Sequence, residues 1–192
     1  MFINLILMKY LIKYFQIILL LVILFFFSDC NRTNNIQKEN YIGKKINFSD
    51  SLLLIKNDTL LFIEQNFYNT DNYKIVSIVK ANCEKCVSDL NKLSGFLKKL
   101  DGNFEVLFMI DAVDFEYFKT HVYHQLDTSF NLIFNKNNCF ERKNELEGIY
   151  NVFNTFILNK QNEIVFIGNP VNDRDCKNEY INFIVIQNEK DN

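Results

Sequence analysis

Proline is almost missing from this chain: Pro170 is the one such residue in 192. Glycine is scarce at five residues, and histidine scarcer at two. No glycine-rich run is present to cradle a phosphate, and no nucleophilic-serine signature appears. Neither histidine lies near a cysteine, so no zinc-ligand set is complete. Charge of one sign is not in excess either. Twenty-one Lys and Arg face 23 Asp and Glu, for a net charge of −2. With no basic stripe, a nucleic-acid partner is excluded as an expectation. No internal repeat is found. Asparagine is abundant and reads as a compositional bias.

What the chain does have begins at its N-terminus. Lys9 and Lys13 precede residues 15–27, which are apolar except for Gln16. The run ends at Ser28-Asp29-Cys30, and residues 31–40 are polar. A positive start, an apolar centre and a polar exit describe a secretory signal. Residues 1–30 are therefore expected to be a signal peptide, 31–40 a flexible tether and 41–192 one folded domain. Cys30 resembles the lipidation site of bacterial lipoproteins, although Asp29 departs from the small residue usual before it. The alternative is a retained membrane anchor. Either reading places residues 31–192 outside the cytoplasm, tethered to a membrane in the bacterial cell envelope.

The main chemical motif is Cys83-Glu84-Lys85-Cys86. Residues 75–79 before it read as a buried strand. Val87, Leu90, Leu93, Phe96, Leu97 and Leu100 after it recur at helical spacing. A CxxC at a strand-to-helix turn puts one thiol at a helix start and the other one turn later. The helix start favours a thiolate on Cys83, and Cys86 can reach back to it. Glu84 and Lys85 modulate that balance with opposite signs. The same pair would also serve as an inert structural disulfide. Cys139 and Cys176 are free, buried or joined to each other. His121 and His124 read as surface residues, and Asp111 and Asp114 as the start of a helix.

The rest of the chain maps coarsely. Residues 59–64 (TLLFIE) read as a first strand and 73–79 as a central one, followed by the Cys83 helix. A strand over 104–110, a helix over 111–126 and a strand over 130–134 come next. Val113, Tyr117, Phe118, Val122 and Leu126 are expected on that helix's inner side. Residues 141–150 read as a charged helix or loop. Strands at 155–158 and 164–167 flank a hairpin turn. Residues 176–186 close the chain as a helix whose apolar side carries Tyr180, Ile181, Ile184 and Val185. Phe104, Phe108, Phe134, Phe156 and Phe166 are expected in the core. The fold class is α/β, a mixed central sheet flanked by helices on both faces.

The CxxC, this order of elements, and TFILN at 155–159 followed by EIV at 163–165 resemble the thioredoxin-like superfamily. Within it, the chain is similar to membrane-tethered thiol–disulfide oxidoreductases of the TlpA, ResA and AhpC/TSA-like group. Residues 152–156 and 168–170 resemble lipoproteins of the Bacteroidetes with this fold. The resemblance implies a thioredoxin-like fold and disulfide exchange with exported protein thiols or disulfides. Cys83 would be the nucleophile and Cys86 the resolving thiol, with a membrane redox partner to reset the pair and no cofactor. Envelope redoxins of this kind often serve as reductants, which favours the reducing direction. Members normally carry a cis-proline facing the CxxC. Here Phe153-Asn154-Thr155 occupies that loop, and Pro170 falls after the hairpin. The departure motivates an alternative, a redox-silent envelope scaffold or binding module. Copper-delivering relatives use a CxxxC and a late histidine, and peroxidases of the redoxin type use a threonine where Lys80 stands. Neither pattern is present.

Overall fold

The computed structural model describes residues 39–48, 51–64, 67–100, 102–146, 154–171 and 173–191, together with Gln16. Residues 1–30 other than Gln16, expected to be a signal peptide ending at Cys30, residues 31–38 of the expected tether, and Phe153 lie outside the described residues. The chain divides into two units, Met1–Asn40 and Tyr41–Asn192, and the second carries the fold.

Seven strands form one sheet. They are β1 (Leu53–Lys56), β2 (Thr59–Phe62), β3 (Tyr73–Lys80), β4 (Phe104–Ala112), β5 (Asn131–Lys136), β6 (Thr155–Leu158) and β7 (Ile164–Ile167). Their order is β2-β1-β5-β4-β3-β6-β7. β3, β4 and β5 run parallel, with Tyr73 opposite Phe104 and Lys80 opposite Asp111. The β1–β2 and β6–β7 hairpins flank this parallel centre as antiparallel pairs. β4 takes the middle position, and β3, expected there, lies beside it.

Alternation along the central strands builds two cores, because successive side chains leave a strand on opposite faces. Ile75, Val79, Val106, Phe108 and Ile110 face one way. They are covered by Val87, Leu90, Leu93 and Leu97 of α1 (Glu84–Leu97), Phe118 of α2 (Phe115–His121) and Tyr180 and Ile184 of α4 (Arg174–Asp191). Val76, Ile78, Leu107 and Met109 face the other way, against Phe140 of α3 (Cys139–Lys143), Leu146, Ile46 and Tyr68. A mixed sheet with helices on both faces is thus the observed architecture. Among the described residues, no helix is long and apolar enough to cross a membrane.

Several expected boundaries shift for identifiable reasons. The first strand is preceded by β1, and the two join through Asn57 and Asp58, both with left-handed φ near +50°. Consecutive left-handed residues make the tight turn whose twist matches a hairpin. β2 stops at Phe62 rather than residue 64. The helix expected over 111–126 is α2 plus a 3-10 turn at Tyr123–Gln125, because β4 continues to Ala112 and Asp114 caps α2. Val113 precedes the helix and is 77% exposed, and Tyr117 is 54% exposed, so neither is an inner-side residue. Phe118, Val122 and Leu126 are buried as expected. The strand expected over 130–134 is β5, Asn131–Lys136. α3 starts at Cys139, and α4 runs from Arg174 to Asp191 with Val185 exposed. Phe108, Phe134 and Phe156 are buried, whereas Phe104 and Phe166 are half-buried.

The abundant asparagine acquires a structural use. Asn57, Asn137, Asn138 and Asn162 all hold positive φ, between 48° and 62°. Asparagine tolerates this region better than other side-chain-bearing residues. In a chain with five glycines it supplies left-handed turns that glycine would otherwise make.

Candidate functional site

The parallel strands β3, β4 and β5 end on one edge of the sheet, and the CxxC begins there. β3 stops at Lys80, and the Ala81 N–H still reaches across to the Asp111 carbonyl at 2.9 Å. The chain then turns, with the Cys83 N–H donating to the Lys80 carbonyl at 3.2 Å. Cys83 is the N-cap of α1, in extended backbone geometry at φ −115° and ψ 101°. Its carbonyl accepts the first helical bond, from the Val87 N–H at 3.1 Å. Its side chain takes the place of the usual serine or aspartate cap, and the Cys86 N–H donates to Cys83 Sγ at 3.2 Å.

Cys83 and Cys86 are joined as a disulfide, with Cα atoms 5.1 Å apart. Both are half-buried, while Glu84 and Lys85 between them are exposed. The pair therefore sits at the surface end of a helix whose opposite side is packed into the core. Reduction would leave Cys83 Sγ beside the same N–H donor, at the positive end of the helix dipole.

Asp111 has a different place from the one its sequence position suggests. It lies one residue before the end of β4, opposite Lys80, and does not cap α2. Asp114 does, with its carboxylate accepting from the Tyr117 N–H at 2.9 Å. Asp111 Oδ1 accepts from the Asn138 N–H at 3.2 Å, and with its amide turned, the Asn138 side chain donates to the same carboxylate at 2.9 Å. Burial raises the Asp111 pKa, opposed by the Asn138 hydrogen bond and the Lys80 charge. Beside the CxxC, Ala81, Asn82, Asp111, Val113 and Tyr117 line a cleft of about 230 Å³.

Of the loop expected to face the CxxC, Phe153 lies outside the described residues. Asn154 is half-buried, and its carbonyl accepts from the Ile78 N–H at 2.8 Å. This places it alongside β3, on the strand that leads into Cys83. Asn169 Nδ2 donates to Asn154 Oδ1 at 2.8 Å. Thr155 is fully buried, and its hydroxyl pairs with Ser77 of β3 at 2.9 Å. Ser77 was not singled out by sequence reasoning, and Asn169 entered only within residues 168–170, with no role at the site. Asn169 is fifteen residues away across a hairpin, and Ser77 is one small polar residue in an apolar strand.

The remaining candidates separate from the site. Cys139 and Cys176 are not joined to each other by a disulfide. Cys139 Sγ donates to Asn135 Oδ1 at 3.2 Å, and buried Cys176 packs at Gly168. His121 is exposed and stacks on Tyr117, with ring centroids 4.4 Å apart, and His124 is exposed too. Among the described residues, no group of three His, Cys, Asp or Glu side chains gathers at metal-binding spacing.

No family profile matches this chain, and no curated protein matches it by sequence. Solved structures do match it in three dimensions. A candidate electron transfer protein from Aquifex aeolicus VF5 aligns with TM-score 0.54 at 16% identity, over 74% of this chain and 92% of its own. The C-terminal domain of a candidate thiol-disulfide oxidoreductase from Bacteroides thetaiotaomicron aligns with TM-score 0.51 at 13% identity, over 76% and 97%. Peroxiredoxin Q from Xanthomonas campestris aligns with TM-score 0.55 at 10% identity, over 77% and 98%. At these identities the likeness establishes the fold, which is thioredoxin-like. The chain is thus a thioredoxin-like domain with a CxxC disulfide at the head of its first helix.

Proposed function

We propose that this protein is a thiol–disulfide oxidoreductase, anchored at a membrane in the bacterial envelope and acting on exported proteins. The observation that carries the reading is the Cys83–Cys86 disulfide, closed at the helix start with the Cys86 N–H on Cys83 Sγ. A CxxC in this setting makes a redox pair because one thiol is a better nucleophile and the other is near enough to displace it.

In the reducing direction, the dithiol form reacts first at Cys83. Its thiolate attacks one sulfur of a substrate disulfide, the substrate S–S bond breaks, and one substrate thiolate leaves. The Cys86 thiolate then attacks Cys83 Sγ. The mixed disulfide breaks, the second substrate thiolate leaves, and the Cys83–Cys86 bond forms. Two electrons have passed to the substrate, and a membrane dithiol donor returns the pair to its reduced form. The thiols carry the electrons, so the cycle calls for no further cofactor. Glu84 and Lys85, exposed between the thiols, set the local charge met by an incoming substrate. Asn154, just before β6, is the described residue of the Phe153-Asn154-Thr155 step that would present backbone to the substrate chain. The anchor is supported by the sequence of residues 9–30, with Cys30 as the lipidation site, residues 31–40 as tether and 41–192 as the working domain.

Trapping tests the assignment. In the full chain, Cys86→Ser leaves a mixed disulfide unresolved. It is expected to accumulate a dithiothreitol-sensitive adduct through Cys83 when offered a disulfide-bonded exported protein. Cys83→Ser is expected to form none. An adduct that forms equally in both variants contradicts the assignment of roles. The second reading, a redox-silent scaffold or binding module, draws on Asn154 standing where the resembled group has its cis-proline. No adduct in either variant would favour it.

A further inference from the structure

The cleft of about 230 Å³ beside the redox turn reaches Asn82, the residue directly before Cys83. Ala81 and Asn82 line it from the turn into α1. Val113 and Asp114 of the β4–α2 connection and Tyr117 of α2 complete it, with Asp111 at the end of β4. Two large apolar residues on this lining face solvent. Val113 is 77% exposed and Tyr117 54%. Apolar residues exposed singly are ordinary, but two that line one cleft at a reactive site form a surface for a partner to cover.

Tyr117 is held in place although it is exposed. Its N–H donates to the Asp114 carboxylate at 2.9 Å, which fixes the start of α2. Its ring stacks on His121, with centroids 4.4 Å apart. A ring held in this way offers contact area at little entropic cost on binding. The cleft also continues the redox site. A substrate sulfur in line with Cys83 brings the residues next to the substrate cysteine over the turn at Asn82.

Size and charge specify the occupant. At about 230 Å³ the cleft falls below the about 300–1,000 Å³ of small-molecule pockets and suits one side chain. Asp111 and Asp114 oppose an acidic side chain. Their carboxylates already accept from the Asn138 N–H at 3.2 Å and the Tyr117 N–H at 2.9 Å. Lys80, opposite Asp111, and Lys85, exposed in the motif, oppose a basic one. What fits is an uncharged apolar group, and an aromatic ring gains a further contact with the Tyr117 ring. We propose that this cleft receives a large apolar side chain, aromatic by preference, adjacent to the reacting cysteine of the substrate polypeptide, and that Val113 and Tyr117 set this specificity. The inference rests on the redox reading of Cys83 and Cys86.

The rates at which the reduced full chain reduces symmetric disulfides of short peptides test this. Each peptide has one cysteine, with Phe, Asn, Lys or Asp directly before or directly after it. Phe on at least one side is expected to react at least about tenfold faster than Asn at the same position, with Lys and Asp no faster than Asn. In the variant carrying both Val113→Ser and Tyr117→Ser, the Phe-to-Asn ratio is expected to fall to about threefold or less. Both residues are exposed, and a ratio taken within one variant cancels any general loss of reactivity. Reduction of oxidised glutathione by the parent chain reports on the redox pair alone. Glutathione reduced without a preference for Phe, Lys or Asp reacting fastest, or a preference kept in the double variant would overturn this inference and leave the redox reading standing. No reduction of glutathione or of any peptide would overturn both.

Discussion

The backbone N–H of Cys86 donates to the sulfur of Cys83 at 3.2 Å, so the first cysteine of the motif caps the helix turn that carries the second. In the reduced pair this donor and the helix dipole both stabilise a thiolate on Cys83, not on Cys86. Iodoacetamide should therefore modify Cys83 at least about tenfold faster than Cys86 in the reduced chain at neutral pH. Peptide mass spectrometry reads the two rates separately. Equal rates would show that the helix start does not distinguish the thiols.

Beneath α1, the Ser77 and Thr155 hydroxyls pair at 2.9 Å in a fully buried position and tie β3 to β6. Removing the Thr155 hydroxyl takes away the Ser77 partner, which costs about 1–3 kcal/mol, whereas without Ser77 the Thr155 hydroxyl keeps a longer bond to Asn154 Oδ1 at 3.4 Å, and removing both leaves no orphan. Thr155→Val should destabilise the fold by about that amount, and Ser77→Ala by less. The double variant should lose less than the sum by at least about 0.5 kcal/mol. Denaturant titration of the four proteins closes the cycle, and strict additivity would mean that the hydroxyls do not depend on each other.

Two carboxylates, Asp127 and Glu141, give stability opposite dependences on pH. Burial alone would raise the Asp127 pKa, but hydrogen bonds from Lys98, Ser94 and Ser129 outweigh it and hold the carboxyl well below its usual range. A depressed folded value contributes stability above the unfolded pKa, near 3.9, and loses it as pH falls further. Asp127→Asn should lower the melting temperature at pH 7, with the deficit shrinking below about pH 4. Glu141, 2% exposed, has its pKa raised chiefly by burial, helped by Asp111 and opposed by the Asn135 hydrogen bond and Lys80. A raised folded value makes the native state bind more protons, so this contribution declines as pH rises above about 4. Glu141→Gln should therefore flatten the fall in melting temperature between about pH 4 and pH 7. The same slope in the variant and the parent chain would contradict the assignment.

The Asn169 amide holds the Asn154 side chain at 2.8 Å in the loop proposed to meet the substrate. Asn169→Ala should slow exchange with a protein disulfide by raising KM. Exchange with oxidised glutathione and the reduction potential should both stay unchanged. A shift in potential would place Asn169 in the electrostatics of the thiols instead.

Much of the fold was legible where one local signal dominates. The strands at Thr155–Leu158 and Ile164–Ile167 match expectation because each apolar run ends in polar turn residues. Cys83 could be placed at a helix start because a continuous apolar strand gives way to a 3.6-residue period at that point. β1 was missed although LLIK-ND-TLLF carries a hairpin signature. The Asn57-Asp58 turn is marked by two residues that tolerate left-handed backbone, without the glycine that would announce it. Asp111 was assigned to the helix start because its true partner, Asn138, lies 27 residues away and is delivered by the parallel pairing of β4 with β5. Glu141 lay in a stretch read as a charged helix or loop, yet Asn135 Nδ2 meets its carboxylate at 2.6 Å in the interior. Contacts set by strand pairing or by a single buried polar partner leave no period in the sequence.

The central claim is that Cys83 and Cys86 form a working redox pair. Equilibrating the full chain against glutathione buffers, and titrating the Cys83 thiol by its alkylation rate, tests it most directly. The account predicts a reversible two-electron couple that disappears in Cys86→Ala, with a Cys83 pKa below the free-thiol value of about 8.5. A disulfide that does not exchange with the buffer, together with an inaccessible Cys83 of ordinary acidity, would contradict it and leave a redox-silent thioredoxin-like module.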